Sequence, residues 1–143
     1  MKKALLNLVS TLVLSVIASS ALAGNIVVIA NPQAGVETLT ADDVMRIFLA
    51  KTKTLPNQKK VIAVAQKEGL PQRQTFDEKM LRKTPNQVKA YWTQLIFTGR
   101  GTPPEEFPSD VEIKKRVAEN PLLIGYIDSD ALDESVRVVF KVE

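Results

Sequence analysis

The feature that most constrains this chain is a set of short, unbroken apolar runs. Ile26-Val27-Val28-Ile29-Ala30, Val61-Ile62-Ala63-Val64-Ala65 and Leu122-Leu123-Ile124-Gly125-Tyr126-Ile127 contain no alternating polar residue. A strand with one wet face alternates, so runs this continuous read as strands covered on both faces, as in a parallel sheet. A fourth run, Val136 to Val142, is interrupted by Arg137 and Lys141 and reads as an edge strand. Between the runs lie segments of helical spacing. Thr40 caps a helix carrying Asp42 and Asp43 in its first turn and Val44, Ile47 and Phe48 on one face. Pro71 opens a helix to Leu81, and Thr84-Pro85 opens another, with Val88, Tyr91, Trp92, Leu95 and Ile96 as a buried stripe. Ser109-Asp110-Val111-Glu112 is a capping box for a helix ending near Glu119, where Asn120-Pro121 stops it. Residues Thr98 to Pro108, with two glycines and three prolines, read as a long loop. The order β-α-β-α-α-α-β-β predicts an α/β fold: a single three-layer domain with a mainly parallel sheet.

The first 23 residues read as an address. Lys2-Lys3 precede a mostly apolar stretch from Ala4 to Ile17, followed by Ser19-Ser20 and the small-residue site Ala21-Leu22-Ala23. This is the pattern of a secretory signal peptide cut after Ala23, with export to the periplasm and no stable membrane insertion once it is removed. The chain has 19 basic and 16 acidic residues, a formal charge of +3. Without Lys2 and Lys3 the count is 17 against 16, a charge of +1, and no one-sign stripe remains to suggest nucleic acid. Residues 24–143 are expected to form one domain.

The chain has no His and no Cys. That removes the usual catalytic triads, thiolate chemistry and Cys/His zinc sites. No phosphate-loop or dinucleotide fingerprint is present either. Asp128-Ser129-Asp130 lacks the glycine and late glutamate of a calcium loop and reads as a turn. The adjacent acids Asp42-Asp43 and Glu105-Glu106 point apart rather than converge. No catalytic residue, metal ligand or cofactor is therefore expected.

One segment has the makings of an anion site. Glu68-Gly69-Leu70-Pro71-Gln72-Arg73 follows a strand and opens a helix, where free backbone amides attract phosphate or sulfate. Gly69 allows close approach, the amides of Gly69, Leu70 and Gln72 face the ligand, and Arg73 supplies charge. Asn31, ending the first strand, and Thr40, capping the neighbouring helix, are expected to add side-chain hydrogen bonds from the same rim. Read so, Arg73 is spare: its loss removes the anion and leaves the stability of the ligand-free fold. The same residues also read as a plain strand-to-helix turn with a solvated arginine. Thr98-Gly99-Arg100-Gly101-Thr102 is a second candidate, or a linker between helices.

Three stretches together resemble the phosphate-binding proteins of bacterial ABC transporters, in the type II periplasmic-binding superfamily. They are Leu39 to Phe48, then Val61 to Phe76 with its E-G-x-P-x-R-x-x-F pattern, then Asn120 to Ile127. Ala90-Tyr91-Trp92 and Phe97-Thr98-Gly99-Arg100-Gly101 resemble the short, stand-alone members. Leu70 stands where that family's anion loop carries a hydroxyl residue. The resemblance implies one lobe of such a protein, non-catalytic, taking phosphate or a related anion, with an ABC permease or a periplasmic sensor as partner and a second copy of itself as a further one. The alternative it leaves open is an interaction or sensory accessory module without ligand binding.

Overall fold

The computed structural model describes residues 24–143; the expected signal peptide, residues 1–23, lies outside the described residues. The elements in order are β1 (Ile26–Ala30), α1 (Ala41–Phe48), β2 (Ile62–Gln66), α2 (Pro71–Lys79), α3 (Pro85–Phe97), β3 (Glu105–Phe107), α4 (Asp110–Glu119), β4 (Leu123–Asp128) and β5 (Arg137–Lys141), with 3-10 turns at Pro32–Ala34 and Ser129–Ala131. They build a five-stranded sheet in the order β3-β2-β4-β1-β5. The α/β class holds, and β5 lies at an edge, as its two charges predict.

The sheet is mixed rather than mainly parallel. β2 runs parallel to both β3 and β4, but β1 runs antiparallel to β4 and to β5. Every residue of β1 is buried, so its unbroken apolar run correctly reports cover on both faces. Burial carries no sense of direction, and an antiparallel strand in mid-sheet between helical layers is as apolar as a parallel one.

Two packed faces give the three layers. On one side Ile26, Val28, Ala65, Ile124 and Tyr126 of the sheet pack under Val44, Phe48, Phe76 and Met80, contributed by α1, by α2 and by the residue that follows it. On the other side Val27, Ile29, Val64 and Ile127 meet Ile113 and Val117 of α4. The first face is tied by three rings. Phe76 stacks on Tyr126 with centroids 3.8 Å apart, and Phe48 meets both edge-on at 4.8 and 5.7 Å. Such contacts bury large apolar areas and fix how α1 and α2 sit on β4.

The helix starts follow the sequence signals. Thr40 and Thr84 form capping boxes with Asp43 and Gln87, and Ser109 caps α4 through the Glu112 amide. α3 departs from its expected stripe. Val88 and Trp92 are buried, but Ile96 is exposed and Phe97 is 91% exposed. β3 was expected to be loop. It is three residues long, two of them glutamates, and exists because it pairs with the last half of β2, Gln66 opposite Phe107. Pro103, Pro104 and Pro108 flank it and favour extended backbone, which is the one local hint of it.

Candidate functional site

β2 and β4 are parallel, so Gln66 and Asp128 end at the same rim of the sheet. This is the rim where α/β sheets hold ligands. Here the chain turns through Glu68-Gly69-Leu70 into α2. Gly69 has φ +90°, a conformation that favours glycine, and a Cβ built on it meets nothing within 4 Å. Leu70 occupies the N-cap position without a side-chain bond to the helix, and Pro71 brings no amide. Leu70 N donates to Lys67 O at 3.2 Å and Gln74 N to Leu70 O at 3.1 Å. The amides of Gln72 and Arg73 in the first turn therefore receive no side-chain cap from the described residues.

A cleft of about 320 Å³ opens beside this turn, with Glu68, Gly69, Arg73, Asp77, Trp92 and Glu106 among its walls. Arg73 is not spare. Its Nε donates to Asp77 Oδ2 at 2.7 Å, and its Nη1 donates to the Gln66 carbonyl at 2.9 Å and to Glu106 Oε2 at 3.3 Å. Its side chain is 13% exposed and that of Asp77 is 7%. Burial alone would lower the Arg73 guanidinium, but Asp77, with Tyr126 and Glu106 adding to it, more than reverses this and keeps it charged. Burial raises the Asp77 carboxyl, and the attraction of Arg73 offsets only part of that rise. Nη2 of Arg73 takes part in none of these bonds.

A polar knot sits behind the turn. Gln66 is wholly buried; its Nε2 donates to Asp110 Oδ1 at 2.6 Å and to the Tyr126 carbonyl at 3.1 Å. Its Oε1 has no partner among the described residues. Gln72 Nε2 donates to Asp110 Oδ2 at 3.2 Å, and Asp128 N donates to Asp110 Oδ1 at 3.3 Å. Asp110 thus ties the ends of β2 and β4 to the first turn of α2.

Of the residues singled out in the turn, Gly69 and Arg73 line the cleft; Leu70 and Gln72 lie beside them in the chain but are not among its walls. Asn31 does not join them. Because β1 is antiparallel, its last residue, Ala30, pairs with Ile124 near the start of β4, so Asn31 lies at the opposite end of the sheet from Gln66. There its Nδ2 donates to the carbonyls of Val117 and Ala118 at 3.0 and 2.9 Å, and its Oδ1 accepts from Gln33 N. It satisfies the open carbonyls at the end of α4. Thr40 is engaged within α1: its hydroxyl donates to Asp43 Oδ2 at 2.8 Å and accepts from Asp43 N. Neither residue lines the cleft. Sequence reading missed Asp77 and Glu106. The first stands four residues after Arg73, a spacing that pairs charges on a helix. The second comes from β3 and leaves no local trace.

Among the described residues no group of three or more Asp or Glu side chains is arranged to hold a metal ion, and no helix is long and apolar enough to cross a membrane.

Solved structures share this fold. The chain aligns over 80% of its length with a protein described as a phosphate ABC transporter substrate-binding protein with bound phosphate, from Clostridium perfringens, at TM-score 0.65 and 21% identity. An ABC-type phosphate transport receptor from Vibrio cholerae aligns at 0.64 and 19%, and PstS from Borrelia burgdorferi at 0.61 and 11%, over the same share. The resemblance to phosphate-binding transport proteins therefore holds for the fold. The alignments take in 44%, 45% and 46% of those chains, so this chain spans less than half their length. No family model matches the sequence, and no curated protein matches it.

Proposed function

We propose that the chain is a non-catalytic binding lobe for inorganic phosphate or a related oxyanion, held at the amino end of α2. The observation that carries this is the uncapped first turn of α2, with Gly69 open in front of it and the charged Arg73 one turn inside. Backbone amides of Gly69 and Gln72 and the guanidinium of Arg73 are the donors; the Leu70 amide, bonded to the Lys67 carbonyl, is not, and neither are Asn31 and Thr40. The fold it shares with proteins described as binding phosphate supports the same ligand class. These donors reach the anion from one side only, so a second surface is needed to enclose it. An exported component of phosphate transport, docking on an ABC permease or a sensor, fits this reading.

The test is a thermal-shift titration of residues 24–143 with phosphate, with sulfate and chloride at matched ionic strength. A ligand at about 100 times its Kd adds ~2.7 kcal/mol, which raises Tm by several degrees. A flat response to phosphate through tens of millimolar refutes the proposal.

A further inference from the structure

The donors that face the cleft are already partly taken, by a carboxylate of the chain itself. Glu106, on the edge strand β3, places Oε1 3.0 Å from the backbone nitrogen of Glu68 and Oε2 3.3 Å from Nη1 of Arg73. One oxygen thus accepts from an amide of the loop before α2, the other from the guanidinium one turn into α2. These are the two kinds of donor that an oxyanion entering here would use. We infer that Glu106 is a resident anion of this site, and that an external oxyanion binds by displacing its carboxylate. The inference rests on the function proposed above.

The position allows the exchange. The Glu106 side chain is 37% exposed, whereas the Arg73 and Asp77 side chains are almost closed off. Asp77 holds Nε and the Gln66 carbonyl holds Nη1, so Arg73 stays aimed when Glu106 leaves. Glu106 lies on the outermost strand of the sheet, with open water beside it to rotate into. The displaced carboxylate also sets the ligand class. A singly charged oxyanion replaces one negative charge by one and gains little. A dianion brings a second charge to the guanidinium and the amide and drives the exchange. Glu106 therefore weakens all anion binding by the same factor, because only the fraction of molecules with the carboxylate swung out is competent, and a dianion's stronger attraction outweighs that cost where a monoanion's does not.

The experiment compares the wild-type chain with Glu106→Gln, which keeps the shape and removes the charge, and with Glu105→Gln. Glu105 is the adjacent glutamate on β3 and lines a different groove, so it controls for the bare loss of one negative charge. Phosphate and formate are titrated by calorimetry at fixed ionic strength. The expected result is about tenfold tighter phosphate binding in Glu106→Gln, corresponding to a competent fraction of about one tenth in the wild type, with less than threefold change in Glu105→Gln. Formate is expected to bind Glu106→Gln measurably better than the wild type. Equal tightening in both variants would mean simple charge repulsion and overturn the inference while leaving phosphate binding intact. Wild-type binding with no gain in Glu106→Gln overturns it in the same way. No phosphate binding by any of the three overturns both this inference and the proposed function. A carboxyl NMR signal for Glu106 that fails to move on saturation with phosphate counts against displacement independently of affinity.

Discussion

Replacing Arg73 with Ala should destabilise the chain even with no ligand present. The side chains of Arg73 and Asp77 are 13% and 7% exposed, and their bond is 2.7 Å long. Truncation removes that bond, the 2.9 Å bond to the Gln66 carbonyl and the 3.3 Å contact with Glu106. It leaves the Asp77 carboxylate buried without its partner, where burial already works against its charge. Breaking a fully buried pair costs about 3–5 kcal/mol. Glu106 is more than a third exposed and its contact is discounted, so a loss of about 2–3 kcal/mol is expected. Unfolding entropy of about 2.1 cal/mol/K per residue over roughly 120 residues is ~0.25 kcal/mol/K, which makes that a fall in Tm of about 8–12 °C. The assay is thermal unfolding followed by the fluorescence of Trp92, the only tryptophan and a buried one. Arg73→Lys, which keeps the charge and loses the planar fork, should fall between wild type and Ala. The double variant with Asp77→Ala should lose less than the sum of the singles. A fall in Tm below about 2 °C for Arg73→Ala would refute the reasoning and return Arg73 to the role of a spare surface cation.

Burial keeps the Asp77 carboxyl above its ordinary value of 3.8, so the folded state holds that proton more tightly than the unfolded chain. Its contribution is fully present below 3.8 and is lost as pH rises through the folded pKa. Wild type should therefore lose stability relative to Asp77→Asn as pH rises above 3.8 in urea titrations, and a constant or opposite difference refutes the assignment. Gly125→Ala would put a Cβ 2.8 Å from Ile113 Cγ2 and 3.1 Å from Val64 Cγ2, between β4 and α4. It should cost about 1–3 kcal/mol at unchanged m-value, and a neutral result would show that α4 can lift off the sheet. Asp133 accepts from Lys114 Nζ, and from the Ser135 hydroxyl and amide, which bring its pKa down to about 2. Carboxyl NMR should find it there, and a midpoint near 3.8 would mean that the Lys114 contact does not persist in solution.

Much of the local structure is legible in the order of residues. Val61 to Ala65 lies within one residue of β2, and Thr84-Pro85 and Ser109 mark the starts of α3 and α4 because capping and φ are set within a few bonds. The glycine-led turn before α2 is legible for the same reason, since Gly69 and Pro71 act through their own backbone. What the loop faces is not. Whether Arg73 is spare or held depends on Asp77, one turn away, and on Glu106, which is 33 residues distant and arrives on a strand with no apolar pattern.

From the sequence alone come the α/β class, the buried strands, the helix starts and a glycine-led turn at a helix amino end. Each is decided by forces that act along the chain: steric limits on φ, caps on open amides, and the period of apolar side chains. Tertiary structure decided the direction of β1, because apolar cover is the same for either direction. It thereby sent Asn31 to the far end of the sheet, where two carbonyls of α4 needed a donor. It also made β3 a strand, since a three-residue segment gains its hydrogen bonds only from a neighbour such as β2. With β3 came Glu106, and so the carboxylate that meets the Glu68 amide and Arg73 beside the glycine-led turn.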